Sequence, residues 1–133
     1  MSEENVEAVR QGYAGFAENG VEGVIRFFTE DAVIYSIPEW PDDPEYYGHD
    51  GLRKLTRQWM ENFDDFGLDL RELHDGGDTV VALVELTGQT KGSALPMRME
   101  IGAVFSGFRD GRIARQRLFS SWDGALEAAG LSE

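Results

Sequence analysis

The segment FRDGRIARQRLFSSWDGALEAAG, residues 108–130, places Arg112, Arg115 and Arg117 within six positions of a chain whose formal net charge is −13. Guanidinium groups this close together can clamp a substrate carboxylate through paired N–H donors. The alternative is that they lie on the outer face of a sheet, against Glu100 or a partner subunit. Arg98 and Glu100 show the same two-residue spacing. Glu85 sits in the apolar run VVALVELT. There, burial would raise its pKa and suit it to acid or base chemistry; the alternative is an ion pair with an arginine. His49, in YGHDG ahead of a helix, is either an acid–base catalyst or a capping residue. The two histidines, His49 and His74, are too few and too far apart for a metal cluster, and the chain has no cysteine. No glycine-rich phosphate loop followed by lysine occurs. The chemistry on offer is therefore that of ionisable side chains without metal or cofactor.

The elements that carry these residues follow from pattern. At 133 residues the chain fits one domain, residues 1–133, with 41% apolar residues for its core. Its acidity repels phosphate backbones and anionic lipid, which argues against nucleic acid as a partner. No apolar run is long enough to span a bilayer, and MSEENVEAVR lacks the marks of a secretory signal, so a cytoplasmic protein without a membrane partner is the expectation.

Val6, Val9, Tyr13 and Phe16 recur at helical spacing and predict a helix over 3–18, ended by Asn19-Gly20, then a short helix over 21–28. Residues 32–37 read as a strand closed by Pro38, Pro41 and Pro44. The loop PEWPDDPEYYG follows; Trp40, Tyr46, Tyr47 and Trp59 could form an aromatic lid and wall, or Trp59 could be ordinary helix core. Asp50 reads as the N-cap of a helix to about Phe63. Strands are predicted over 67–73, 79–87, 97–105 and 112–120, with turns at Asp75-Gly76-Gly77-Asp78 and Asp110-Gly111. A short helix from Asp123 to Gly130 ends the chain. Hairpins after helices indicate an α+β domain in which a bent antiparallel sheet wraps around the helices.

The segments VEAVRQGYAGF, FFTEDAVIY, YYGHDGLRKL and DGRIARQRLFSSWDGALEAAGL resemble the SnoaL-like group of the nuclear transport factor 2-like superfamily over nearly the whole length. The resemblance implies a cone-shaped α+β barrel with a pocket at its open end. The group includes isomerases, cyclases, hydrolases, dimerisation modules and members without known activity, so function must come from the site. Against the ketosteroid isomerase pattern, Tyr13 matches the oxyanion tyrosine, Ser36 stands where the aspartate base belongs, and residues 101–104 supply no second acid. Against the limonene epoxide hydrolase pattern, Leu83 and Glu85 fill the arginine–aspartate pair and Leu118 the second aspartate.

Parity and the resemblance together place Ser36, Trp40, Trp59, Leu83, Met97, Met99, Ile101, Gln116 and Leu118 around the pocket. The same parity places Ile113, Arg115, Arg117 and Phe119 on the outer face. Two readings follow. One is a non-catalytic pocket protein that binds a small, largely apolar ligand and dimerises through the outer face. The other is a cofactor-free acid–base enzyme of isomerase, cyclase or hydrolase type that uses Tyr13, His49 and Glu85.

Overall fold

The computed structural model describes residues 2–40, 43–93 and 95–131. Helix α1 spans Ser2–Asn19 and ends where Gly20 adopts φ +66°, a left-handed conformation that favours glycine. The helix expected over 21–28 is instead two 3-10 turns, Gly20–Gly23 and Ile25–Phe27. A Cβ on Gly15 would lie 2.0 Å from the Gly23 carbonyl oxygen, and one on Gly23 would lie 2.1 Å from that of Gly15. This backbone-to-backbone contact pins the segment to α1 and leaves too few residues for an α-helical run.

Next come β1 (Phe28–Tyr35), β2 (Glu45–Tyr47), α2 (Gly48–Asn62), β3 (Phe63–Asp75), β4 (Val80–Thr90), β5 (Pro96–Ser106), β6 (Ile113–Phe119) and α3 (Trp122–Ala128). One open, curved sheet runs in the order β2-β1-β6-β5-β4-β3. All its pairs are antiparallel except β1 with β6. The α+β class is as read from the sequence. Strand β2 was not anticipated: the proline-rich loop returns as an edge strand because Tyr46 buries its ring while Glu45 and Tyr47 stay exposed. Pro41 and Asp42 of that loop lie outside the described residues. Helix α2 starts two residues before Asp50, which sits in its first turn and accepts a hydrogen bond from Arg53 at 2.9 Å instead of capping it.

Strand β3 runs straight out of α2. Its register against β4 shifts between Asp64 and Gly67, where Asp65 has φ 52°, and again between Leu70 and Glu72. Such irregularities bend a strand and strengthen its twist, which curves the sheet around α1 and α2. The concave side buries Val9, Leu52, Leu55, Val84, Ile101 and Phe105 in the main core. On the convex side α3 covers a smaller cluster of Val81, Leu83, Val104 and Ala125. Both faces of β4 are therefore apolar, as its sequence requires. Ser121 caps helix α3: its side chain accepts from the Gly124 amide at 3.0 Å. Trp122 Nε1 ties the helix to the Val84 carbonyl at 2.9 Å.

Candidate ligand-binding site

Between the concave face and the helices lies a cavity of about 80 Å³ open to the centre of a water molecule. One water needs roughly 10–15 Å³ by such a measure, so the space holds several waters or a small organic group. Aliphatic and aromatic side chains and Gly12 form its wall, interrupted by Tyr13, Thr56 and Gln116. Among the described residues, no carboxylate, imidazole, ammonium or guanidinium group lines it.

Helix α1 presents Tyr13 from the face that also carries Val9 and Phe16, so the amphipathic spacing that packs the helix also sets the phenol at the cavity. Its ring meets Phe105 of β5 edge-on, with centroids 6.2 Å apart. Burial pushes the phenol's pKa well above its ordinary 10.0, so the group is a neutral donor. Its hydroxyl has no hydrogen-bond partner among the described residues, and neither does the side-chain amide of Gln116. Gln116 stands on β6 beside Ile34 of β1 and Phe105 of β5 and faces inward with Leu118. Thr56 comes from α2, on the stripe Leu52, Leu55, Thr56, Trp59. Sequence reasoning missed Thr56, although its i, i+3, i+4, i+7 spacing with these neighbours marks it as inward-facing.

Of the residues expected at the pocket, Tyr13, Trp59, Ile101, Gln116 and Leu118 line the cavity. The others are placed elsewhere. Met97 and Met99 pack at the margin of the main core, outside the cavity wall. Ser36 is buried at the end of β1 and donates its hydroxyl to the Asp43 carbonyl at 2.6 Å. Trp40 leans on Trp59 with centroids 5.3 Å apart, but the hollow it lines is a different one. Leu83 is on the convex side beneath α3. Glu85 shares that face and pairs with Arg98 at 3.0 Å and Arg71 at 3.5 Å, so its place is an ion-pair cluster away from the cavity. The ring of His49 is held by the Phe28 carbonyl, 2.9 Å from Nε2, which makes it a backbone anchor. The catalytic trio Tyr13, Glu85 and His49 is thus not brought together.

Arg115 and Arg117 are exposed, as expected of the outer face, but Glu100 is not their partner: its carboxylate accepts the Trp122 amide at 2.9 Å. Ile113, expected beside them, is buried in the main core. Ile113 pairs with Phe28 of the main core and Arg115 with Val33, and the β1–β6 register slips between these two pairs.

The family model of the SnoaL-like domain matches residues 9–116. The chain belongs to the SnoaL-like family. No curated protein sequence matches it. Among solved structures, an NTF2-like protein from Burkholderia thailandensis E264 is 19% identical to this SnoaL-like chain, with a TM-score of 0.78 over 97% of each chain. TerC, co-crystallised with polyporic acid, is 20% identical with a TM-score of 0.76, over 96% of this chain and 98% of TerC. A hypothetical protein with a ketosteroid isomerase-like fold from Catenulispora acidiphila DSM 44928, in complex with trimethylamine, is 15% identical with a TM-score of 0.73, over 95% of this chain and 94% of that one. These likenesses establish the cone-shaped α+β fold.

Proposed function

We propose that this SnoaL-like protein is a pocket protein that takes a small, largely apolar ligand bearing one hydrogen-bond-accepting oxygen, and that it assembles as a homodimer. The observation that carries the reading is the cavity wall: among the described residues it is apolar except for Tyr13, Thr56 and Gln116, of which Tyr13 and Gln116 have donors without a hydrogen-bond partner there. A mostly apolar wall with a few placed polar groups is the usual make-up of a small-molecule site. Acid–base turnover needs a base within hydrogen-bond reach of the reacting atom. The ionisable candidates Glu85 and His49 are committed to Arg98 and to the Phe28 carbonyl, away from the cavity, and this favours binding over turnover. The solved relatives with polyporic acid and with trimethylamine support a fold that accommodates small organic molecules.

The homodimer reading rests on the part of the convex face toward β2 and β1, where Tyr47 is 64% exposed and lies opposite Val33. Aromatic and aliphatic surface of this kind is what a two-fold interface covers.

Titration of the protein with cyclohexanone and with cyclohexane, followed by tryptophan fluorescence and thermal shift, tests the cavity. Saturable binding stronger for the ketone is expected; equal or absent binding of both refutes the polar anchor. Light scattering at micromolar concentration should give twice the 14.9 kDa chain mass, and a monomer alone refutes the assembly.

A further inference from the structure

A second hollow, of about 660 Å³, opens where β6 ends beside the segment that follows β1. Its wall includes Tyr35, Trp40, Phe119, Arg115 and Arg117, and Leu118 borders both this hollow and the inner cavity. We infer that this hollow binds a small aromatic carboxylate. The inference goes beyond the cavity reading and does not require Tyr13; Val33 is the cross-strand neighbour of Arg115, so the hollow adjoins the face offered above for assembly.

Arg115 and Arg117 are two residues apart on one strand face, about 6.5 Å along the chain, so both guanidinium groups can reach one carboxylate. Their cross-strand neighbours are not acids. Arg115 lies opposite Val33 and Ser106, and Arg117 opposite Tyr35 and Val104. Neither has an ion-pair partner among the described residues, although Arg53, Arg71, Arg98 and Arg109 all do. Arg115 uses Nε for a long bond to Ser106 Oγ, 3.4 Å, which leaves its terminal amino groups for a ligand. The Arg117 guanidinium carbon lies over the Phe119 ring, 5.5 Å from its centroid, a cation–π contact that consumes none of its N–H donors in a hydrogen bond. The same face carries Glu45 on β2, but the Tyr47 hydroxyl engages it, and Asp43 nearby pairs with Lys54 at 2.9 Å. An anion entering the hollow therefore meets two uncommitted cations with no lining carboxylate among the described residues. The rest of the wall selects the kind of anion. Tyr35, Ile37, Pro38, Trp40 and Phe119 give ring-sized apolar surface beside the charges, so a carboxylate on an aromatic ring satisfies both.

The test titrates the full chain with benzoate, benzamide and inorganic phosphate while arginine Nε and tryptophan indole resonances are followed by NMR. Benzoate should move the Arg115, Arg117 and Trp40 signals saturably, with benzamide and phosphate each at least tenfold weaker. Arg115→Gln and Arg117→Gln, singly and together, should each weaken benzoate, the pair to the level of benzamide. Arg112→Gln, on another surface, should bind as wild type. The single variants keep the test readable should the double variant misfold. Benzamide equal to benzoate would overturn the charge recognition, and phosphate equal to benzoate the aromatic selection. Shifts at Trp59 without shifts at the arginines would overturn the location.

Discussion

Replacing Tyr13 by phenylalanine removes one hydroxyl and leaves the edge-on contact with Phe105 in place. If that hydroxyl exists to meet a ligand, the empty protein carries it at a cost. A buried hydroxyl without a partner costs about 1–3 kcal/mol. The Tyr13 hydroxyl borders a cavity of about 80 Å³, where water can partly satisfy it, which reduces the cost to on the order of 1 kcal/mol. Tyr13→Phe should therefore stabilise the ligand-free protein by up to that amount, or roughly 3–5 °C in melting temperature for a domain of this size. Affinity should move the other way. Loss of one neutral hydrogen bond, ~0.5–1.5 kcal/mol, weakens cyclohexanone binding about 2- to 12-fold. Cyclohexane binding should not change.

The pH dependence adds a third readout. Burial raises the folded-state pKa of Tyr13 above the ordinary 10.0 that the unfolded chain shows. A raised folded pKa gives stability that is complete below the unfolded value and lost as pH climbs past it, so wild type should lose stability above pH 10 relative to Tyr13→Phe. Urea unfolding with and without ketone, repeated on the alkaline side, measures all three. A Tyr13→Phe protein that is less stable than wild type with unchanged ketone affinity would show that the hydroxyl is structural and that the polar anchor has been misplaced.

Glu85→Gln should cost under about 1 kcal/mol in urea unfolding and leave ligand affinity unchanged, because its partners Arg98 and Arg71 sit on the convex side at partly exposed positions. Lost binding in that variant would return Glu85 to the site. Gly102→Val should destabilise by about 1–3 kcal/mol or more, since even a Cβ there would lie 2.4 Å from Ala125 Cβ and force α3 off the sheet; a chemical denaturation midpoint equal to wild type would refute that packing. The Arg53 guanidinium, 2.8 Å from Glu22, holds that exposed carboxyl below its ordinary 4.5. A depressed pKa stabilises above the ordinary value and loses that contribution as pH falls through and below it, so Arg53→Ala should flatten the melting-temperature loss below pH 4.5. An unchanged acid limb would refute the linkage.

Helix α1, its glycine stop, both marked turns and the existence of strand β5 were legible because each depends on local spacing or on residues suited to special backbone geometry, although Val104 of β5 is buried on the convex side as well. Strand β2 was not: three residues bearing one buried tyrosine have no periodicity to detect, and their pairing with β1 spans a loop whose prolines argue against a strand. The site was half legible for a related reason. Tyr13, Trp59, Ile101, Gln116 and Leu118 reach the cavity, since each sits on an element whose inward face the pattern defines. Thr56 was overlooked because its stripe on α2 was read from the apolar residues alone.

The misplacement of Leu83 and Glu85 has a more instructive cause. Parity along a strand sorts residues into two faces but does not say which face encloses a cavity, and the usual guide, that the apolar face is the inner one, requires the other face to be wet. In β4 that guide fails because α3 covers the convex side as well: Val81 and Leu83 are as buried as Val84 and Leu86. Glu85 continues the Val81–Leu83 row past the end of α3, where the cover stops and Arg98 and Arg71 take its place. A carboxylate in an apolar run therefore marked the edge of a second, smaller core. The same ordering governs β6, whose Leu118 and Gln116 face the cavity while Arg115 and Arg117 lie beyond the reach of α3 on the convex side. How far this short helix reaches across the sheet thus separates convex positions that are packed and apolar from those left free to carry unpaired charge, and the arginine-lined hollow lies on the free side of that boundary.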